Sequence, residues 1–266
     1  MPRQRGFPPV LKRLGQHFLN DSEALRDIAD ALQIGKKDLV VEIGPGRGAL
    51  TELILARAGH VIAVELDREL AARLRKSHEG DRRLTVIEAD ILEVSFRDIV
   101  TGQFAVVGNV PYYITTPILF HVLQAPLPTR AVFLVQKEVA ERIVAPPGSR
   151  EYGALSVNVQ AIARPEIVRN VPASAFTPPP KVDSSVVRIT PLEKTLVPVD
   201  ELPEFRIFVQ AVFGMRRKQM GNVLRSVRRI SLDEASRILV EQGIDPQARP
   251  ETLSPVQLAA LMRAAR

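Results

Sequence analysis

Asn109-Val110-Pro111-Tyr112 brings together residue types that could hold a planar, weakly nucleophilic amine. An aromatic amine delocalises its lone pair into the ring. Attack by its nitrogen therefore needs acceptors around its hydrogens and a fixed direction toward the electrophile. Asn109 can supply a side-chain carbonyl, and Pro111 stiffens the backbone so that a main-chain carbonyl points into a site. Tyr112 offers a π-face on which a base can stack, worth ~1–3 kcal/mol per base. Placing two substrates in line is the larger effect, up to about 7–11 kcal/mol. No strong base is needed in such a step. Asn and Pro also form ordinary turns, so the weight of the motif rests on where it falls in the fold.

Upstream lies the turn Glu42-Ile43-Gly44-Pro45-Gly46-Arg47-Gly48. Its glycines let a ligand approach the backbone closely. Alone, the turn fits a dinucleotide site or plain packing as well as a nucleoside cofactor. Glu65 at the end of the next apolar run could accept both hydroxyls of a ribose, a placement shared by NAD and S-adenosylmethionine enzymes. Asp90, read as the end of a third strand, could accept a hydrogen bond from an adenine amino group, or merely cap a turn. Gly44, Glu65, Asp90 and Asn109 at four successive strand ends favour S-adenosylmethionine. An NAD-dependent oxidoreductase is disfavoured, because Asn-Val-Pro-Tyr has no role in hydride transfer.

The elements that would position these residues alternate between short apolar runs and amphipathic stretches. Leu39 to Ile43, His60 to Glu65, Leu84 to Ile87, Phe104 to Val107 and Ala131 to Val135 read as strands. Helices are expected after Asp21 or Ser22, over Ala49 to Ala58, Asp67 to Lys76 and Lys137 to Val144, and after a Thr116 cap with Pro117 at the first position. This pattern predicts an α/β fold with a parallel sheet covered on both faces, and ligands at the carboxyl ends of its strands. Gly153 to Ala163 is ambiguous between helix and strand, and Val182 to Ile189 reads as a last strand. Beyond Pro191, Pro198 and Pro203 the pattern becomes helical only, with Ser231 and Glu234 as a capping box and Ser254-Pro255 opening the final helix. The expected domains are 1–194, with a basic arm over 1–20, and a small all-α domain over 195–266.

Composition narrows the partners. The 266 residues include 36 Lys and Arg against 30 Asp and Glu, a formal charge of +6. A basic balance favours a polyanion, because phosphate contacts release counterions. Arg206, Arg216, Arg217, Lys218, Arg225, Arg228 and Arg229 lie together with no acid between Phe205 and Ile230. Arg3, Arg5, Lys12 and Arg13 form a second basic stretch. The absence of cysteine excludes disulfides, thiolate-held zinc, iron–sulfur clusters and cysteine nucleophiles, and no metal site is expected. No apolar run is long enough for a membrane span, and the N-terminal stretch lacks a signal-peptide core. A cytoplasmic protein is expected.

Beyond these motifs stand Leu14-Gly15-Gln16-His17-Phe18-Leu19, Val64-Glu65-Leu66-Asp67, Gln136-Lys137-Glu138-Val139-Ala140, Ala175-Phe176-Thr177-Pro178-Pro179-Pro180-Lys181-Val182-Asp183-Ser184 and Phe213-Gly214-Met215-Arg216-Arg217-Lys218. Together they resemble the small-subunit rRNA adenine N6,N6-dimethyltransferases, from about residue 11 to the last helix. The resemblance implies a Rossmann-like, S-adenosylmethionine-dependent methyltransferase sheet with a helical C-terminal domain that binds rRNA. His17 and Leu19 would close over the cofactor, with Gly44, Glu65, Asp90 and Asn109 completing its site. Asn109, Pro111 and Tyr112 would hold the target adenine, Phe176 would stack from the opposite side, and Arg216, Arg217 and Lys218 would grip RNA.

The substrate implied is two adjacent adenosines in the loop of the hairpin near the 3′ end of 16S rRNA. Each would be dimethylated on the immature small ribosomal subunit by a monomeric enzyme. A base in a loop costs little to unstack and flip. Two departures stand out: His17 occupies a position where many relatives carry asparagine, and Tyr113 replaces another frequent asparagine. The rivals are the large-subunit rRNA adenine methyltransferase of macrolide resistance, against which the Arg216-Arg217-Lys218 helix speaks because it looks like that of the small-subunit enzymes, and a non-catalytic ribosome assembly factor. A mitochondrial transcription-factor relative is less favoured for want of a transit segment.

Overall fold

The structure is a computed structural model that describes residues 16–266. Arg3, Arg5, Lys12, Arg13 and the Leu14-Gly15 pair lie outside the described residues. The chain divides into two compact units: one of the residues up to Ala140 with Glu166–Thr190, the other of Glu141–Pro165 with Pro191–Arg266.

In chain order the first unit contains β1 (Phe18–Leu19), α1 (Ser22–Ala31), β2 (Leu39–Ile43), α2 (Ala49–Leu55), β3 (His60–Glu65), α3 (Arg68–Ser77), β4 (Leu84–Glu88), α4 (Phe96–Ile99), β5 (Phe104–Asn109), α5 (Thr115–Val122) and β6 (Arg130–Gln136). The chain continues through α6 (Lys137–Val144), α7 (Ala154–Gln160), β7 (Ala163–Val171), β8 (Phe176–Thr177) and β9 (Ser184–Pro191). A seven-stranded sheet runs in the order β4-β3-β2-β5-β6-β9-β7. The pairs β2–β3, β2–β5, β3–β4 and β5–β6 are parallel.

Successive strand residues point to opposite faces. Successive Val40, Val41 and Ile43, and Ala105, Val106 and Val107, are all buried, so both faces of the central strands are covered. That is why these runs read as continuous rather than alternating. Chain order reverses about β2, whose neighbours are β3 and β5. A switch of this kind opens a crevice at the carboxyl ends of the two strands it separates.

Three features of the strands depart from or complete the sequence expectation. The sheet is mixed, because β9 runs antiparallel to β6, with Leu134 opposite Val186. The ambiguous stretch resolves into α7 followed by β7 at the sheet edge, where Pro165 is tolerated because an edge strand spares an N–H. Finally, β1 and β8 form a separate two-stranded sheet, Phe18 opposite Thr177 and Leu19 opposite Phe176. Two residues carry no periodicity, so neither strand was visible in advance. Helix α5 starts at Thr115, which puts Thr116 and Pro117 within its first turn rather than at its cap.

The second unit holds α8 (Leu202–Phe213), α9 (Met220–Arg228), α10 (Leu232–Glu241) and α11 (Pro255–Ala264). Its break at Pro191 lies near the boundary expected at 194/195, but it also takes in Glu141–Pro165. The reason is apolar: Leu155, Val157 and Val159 of α7 are buried, and α7 packs against α8. Ser231 caps α10 by accepting from Glu234 N, and Ser254 forms a reciprocal box with Gln257 at α11. No helix among the described residues is long and apolar enough to cross a membrane.

Candidate active site

The crevice beyond β2 and β5 gathers most of the residues singled out from the sequence. His17, Leu19, Gly44, Glu65, Asp90, Asn109, Pro111 and Tyr112 all line it. Gly44 and Gly46 adopt φ of 66° and 57°, the left-handed region that side chains avoid. At Gly46 a Cβ would also stand 3.0 Å from the Phe18 ring, so any other residue would add strain and crowd the ring.

Glu65 closes β3 and is only 6% exposed. Its Oε2 accepts from Gly46 N and its Oε1 from Asp67 N, each at 2.9 Å. Burial pushes the carboxyl up, and these two N–H groups pull it back toward ionisation. Each oxygen retains a second lone pair for a ligand hydroxyl. Asp90 sits two residues past β4 rather than at its end, and its Oδ1 accepts from Leu92 N at 2.9 Å. It therefore does cap a turn, with acceptor capacity left for a ligand.

Asn109 ends β5. Its Nδ2 donates to the backbone carbonyl of His17 at 3.0 Å, which commits the donor end of the amide and leaves Oδ1 as the acceptor. The His17 ring donates through Nδ1 to Pro178 O at 2.8 Å and stacks on Tyr112, with centroids 5.9 Å apart and planes 20° apart. The Tyr112 hydroxyl pairs with Ser184 Oγ at 2.7 Å, and burial raises its phenol. The arm at residues 16–20 is thus tied to the glycine turn, to β5 and to the segment around β8.

Two expectations are corrected. Phe176 does not line the crevice: it is 3% exposed, lies opposite Leu19 and belongs to the buried core that also holds Ala24 and Ile28. An apolar strand residue opposite Leu19 is drawn into the core beneath the arm. Arg216 to Lys218 do not lie on a helix but in the turn between α8 and α9. Arg216 is engaged by Glu251 and by the carbonyls of Ser149 and Arg150, whereas Arg217 and Lys218 are exposed. Arg228 likewise donates to Met262 O and lies over the Phe208 ring.

Sequence reasoning passed over Glu42, Phe18 and Arg47, all of which line the crevice. Glu42 had a visible signal, a lone carboxyl inside the apolar run Leu-Val-Val-Glu-Ile. It is 1% exposed and accepts from Thr51 Oγ1 at 2.7 Å. Burial, reinforced by the charge of Glu65, pushes it up from an ordinary 4.5 to about 8 against the pull of Thr51.

The folded chain therefore holds this proton more tightly than the unfolded one. The resulting stability is complete below pH 4.5 and is lost as pH rises through about 8. Glu42→Gln keeps an acceptor for Thr51 without a charge. It is expected to match the parent at about pH 5 and to melt higher at about pH 9, each ~1 kcal/mol appearing as roughly 2–4 °C. A Tm difference that stays constant across this range in thermal melts would contradict the assignment.

The polar ends of four strands, an adjoining aromatic face and a tethered arm can seat a nucleoside beside a second planar ring. The ribosomal RNA adenine dimethylase family matches residues 10–263. The chain is 42% identical over 272 residues to the ribosomal RNA small subunit methyltransferase A of Moorella thermoacetica, covering 98% of this chain and 94% of that protein. Against the protein of the same name from Caldanaerobacter subterraneus subsp. tengcongensis it is 42% identical over 258 residues, covering 95% and 96%. Among solved structures, a dimethyladenosine transferase from Plasmodium falciparum superposes with a TM-score of 0.79 at 28% identity, covering 92% of this chain and 96% of that one. The 23S rRNA methyltransferase ErmE gives 0.73 at 28% identity, covering 93% and 98%.

Proposed function

The chain belongs to the ribosomal RNA adenine dimethylase family, and from that membership we propose that it dimethylates N6 of two adjacent adenosines in the loop of the hairpin near the 3′ end of 16S rRNA, on the assembling small subunit. It is an S-adenosylmethionine-dependent rRNA adenine dimethyltransferase. We further propose that it acts as a monomer in the cytoplasm.

The observation that carries the residue assignment is the hydrogen bond from Asn109 Nδ2 to the His17 carbonyl. It turns the amide so that Oδ1 remains as an acceptor for the hydrogens of the target amine. The residues present fit the cofactor: acceptors on Glu65 for ribose hydroxyls, Asp90 for an adenine amino group, and the backbone at Gly44, where no side chain comes within 4 Å of an added Cβ. When bound, S-adenosylmethionine supplies an electrophilic methyl on a sulfonium sulfur. Tyr112, fixed by Ser184, presents its ring to the target base. Asn109 Oδ1 holds the amine and favours the pyramidal nitrogen that forms during attack, while Pro111, whose carbonyl accepts from Ile114 N and Thr115 Oγ1, stiffens the turn that presents it. His17 and Leu19 exclude water from the cofactor. Sites closed in this way strengthen every polar contact inside them.

Tritiated S-adenosylmethionine offered with small-subunit and with large-subunit assembly intermediates tests the substrate. Label is expected in the small-subunit particle, mapping to neighbouring adenosines of the hairpin loop. Label confined to large-subunit RNA would replace this reading with the macrolide-resistance type. Cofactor binding without label in either particle would favour a non-catalytic assembly factor.

The exposed Arg217, Lys218, Arg225 and Arg229 support RNA docking through phosphates. Arg217→Ala with Lys218→Ala is expected to weaken particle binding and to reduce the slope of log K against log salt by roughly 1–2. Arg216 is left out because its ion pair with Glu251 makes its loss a structural change. A salt slope unchanged from the parent would place the RNA contact elsewhere.

A further inference from the structure

We propose that Arg47 recognises the carboxylate of the cofactor's methionyl group. The assignment rests on the crevice being the cofactor site and goes beyond it by giving the anionic end of the ligand a partner. S-adenosylmethionine carries positive charge at its sulfonium and ammonium and negative charge at its carboxylate. The crevice offers carboxyl groups from Glu42, Glu65 and Asp90, while among its described lining residues Arg47 alone is a lysine or arginine. With Glu65 and Asp90 taken up by the ribose and the adenine, the methionyl carboxylate meets in this guanidinium the one lysine or arginine among those residues.

Arg47 is also held in a way that suits the task. Its guanidinium carbon lies 4.2 Å from the centre of the Phe18 ring, a stacked cation–π contact that fixes the plane of the fork. Phe18 is itself fixed by pairing with Thr177 and by the bare Gly46 backbone beneath it. The shelf thus joins the arm to the glycine turn at the mouth of β2. A planar fork with a fixed face can meet a carboxylate through two parallel hydrogen bonds. Partial burial and the neighbouring Arg73 both disfavour the charge on Arg47, and a carboxylate against the fork would favour it.

Calorimetric titration of the full chain with S-adenosylmethionine and with decarboxylated S-adenosylmethionine tests this without any RNA. The parent is expected to bind the decarboxylated ligand about tenfold more weakly, the factor to which ~1.4 kcal/mol converts. Arg47→Gln is expected to lose about tenfold for S-adenosylmethionine and to bind the decarboxylated ligand as the parent does, while Arg47→Lys falls between.

Equal weakening of both ligands would overturn the proposal, since Arg47 would then act only by steadying Phe18. No weakening of either would overturn it as well. Should Arg47→Gln fail to fold, the parent alone decides, because equal affinity for the two ligands refutes the contact. A parent chain that binds neither ligand would remove the cofactor site itself and this assignment with it.

Discussion

Asn109→Ala is expected to lower kcat for methyl transfer by about 10²–10³-fold, the range for loss of one preorganised polar group at a reacting centre. Asn109 ends β5 opposite Leu134, and its backbone pairing does not depend on the side chain, so Tm should move little. Two interactions go at once: the acceptor for the target amine and the hydrogen bond to the His17 carbonyl.

Asn109→Asp separates them. It keeps an acceptor oxygen but has no donor for His17, and it sets a carboxylate against a carbonyl. Its main expected defect is weaker cofactor binding, as the arm loses its anchor. Single-turnover kinetics with saturating cofactor, alongside calorimetry, distinguishes the two variants. Undiminished turnover in Asn109→Ala would mean that the target nitrogen is held by other groups.

Phe176→Ala should be the most destabilising single change near the site. The residue is 3% exposed in the core that also holds Leu19, Ala24 and Ile28, and removing a buried phenylalanine costs about 3–5 kcal/mol. At roughly 2–4 °C per kcal/mol, Tm falls by about 6–20 °C. Phe176→Leu should recover most of this, since swaps that nearly conserve volume cost less than about 1.5 kcal/mol. The leucine variant also tests stacking. If it folds but shows a raised KM for RNA, the ring leaves the core to meet the base. An Ala variant as stable as its parent would mean that Phe176 is not packed as described.

The central sheet was legible because its strands are short, apolar and bounded by glycines and charges, and burial on both faces reproduces that signature. The residues that line the crevice were legible for the same reason. Once Ile43, Glu65 and Asn109 are strand ends, the topology brings them to one edge. What stayed hidden depended on contacts distant in sequence. Nothing local marks Phe18–Leu19 as a strand, because its partner lies at Phe176–Thr177. The burial of Phe176 was hidden for the same reason, as its strand partner is Leu19 of the arm. Arg216 read as an RNA contact because charge runs are visible, whereas its acid, Glu251, lies far along the chain. Glu42 was in plain view but was read only as part of a motif, since burial at a sheet interior cannot be inferred from one charged letter.

The pairing of β1 with β8 sets an order on how this protein comes into being. His17 is bonded to Pro178, 161 positions later, so the first described stretch to leave the ribosome must wait for one of the last parts of its unit. Strands β2 to β5 can associate while the chain is still being made. The wall over the crevice closes only when the segment from Phe176 to Ser184 has emerged, because loops of such span are entropically slow to close. Nascent chains halted before that point should hold a partly formed sheet yet fail to retain nucleoside.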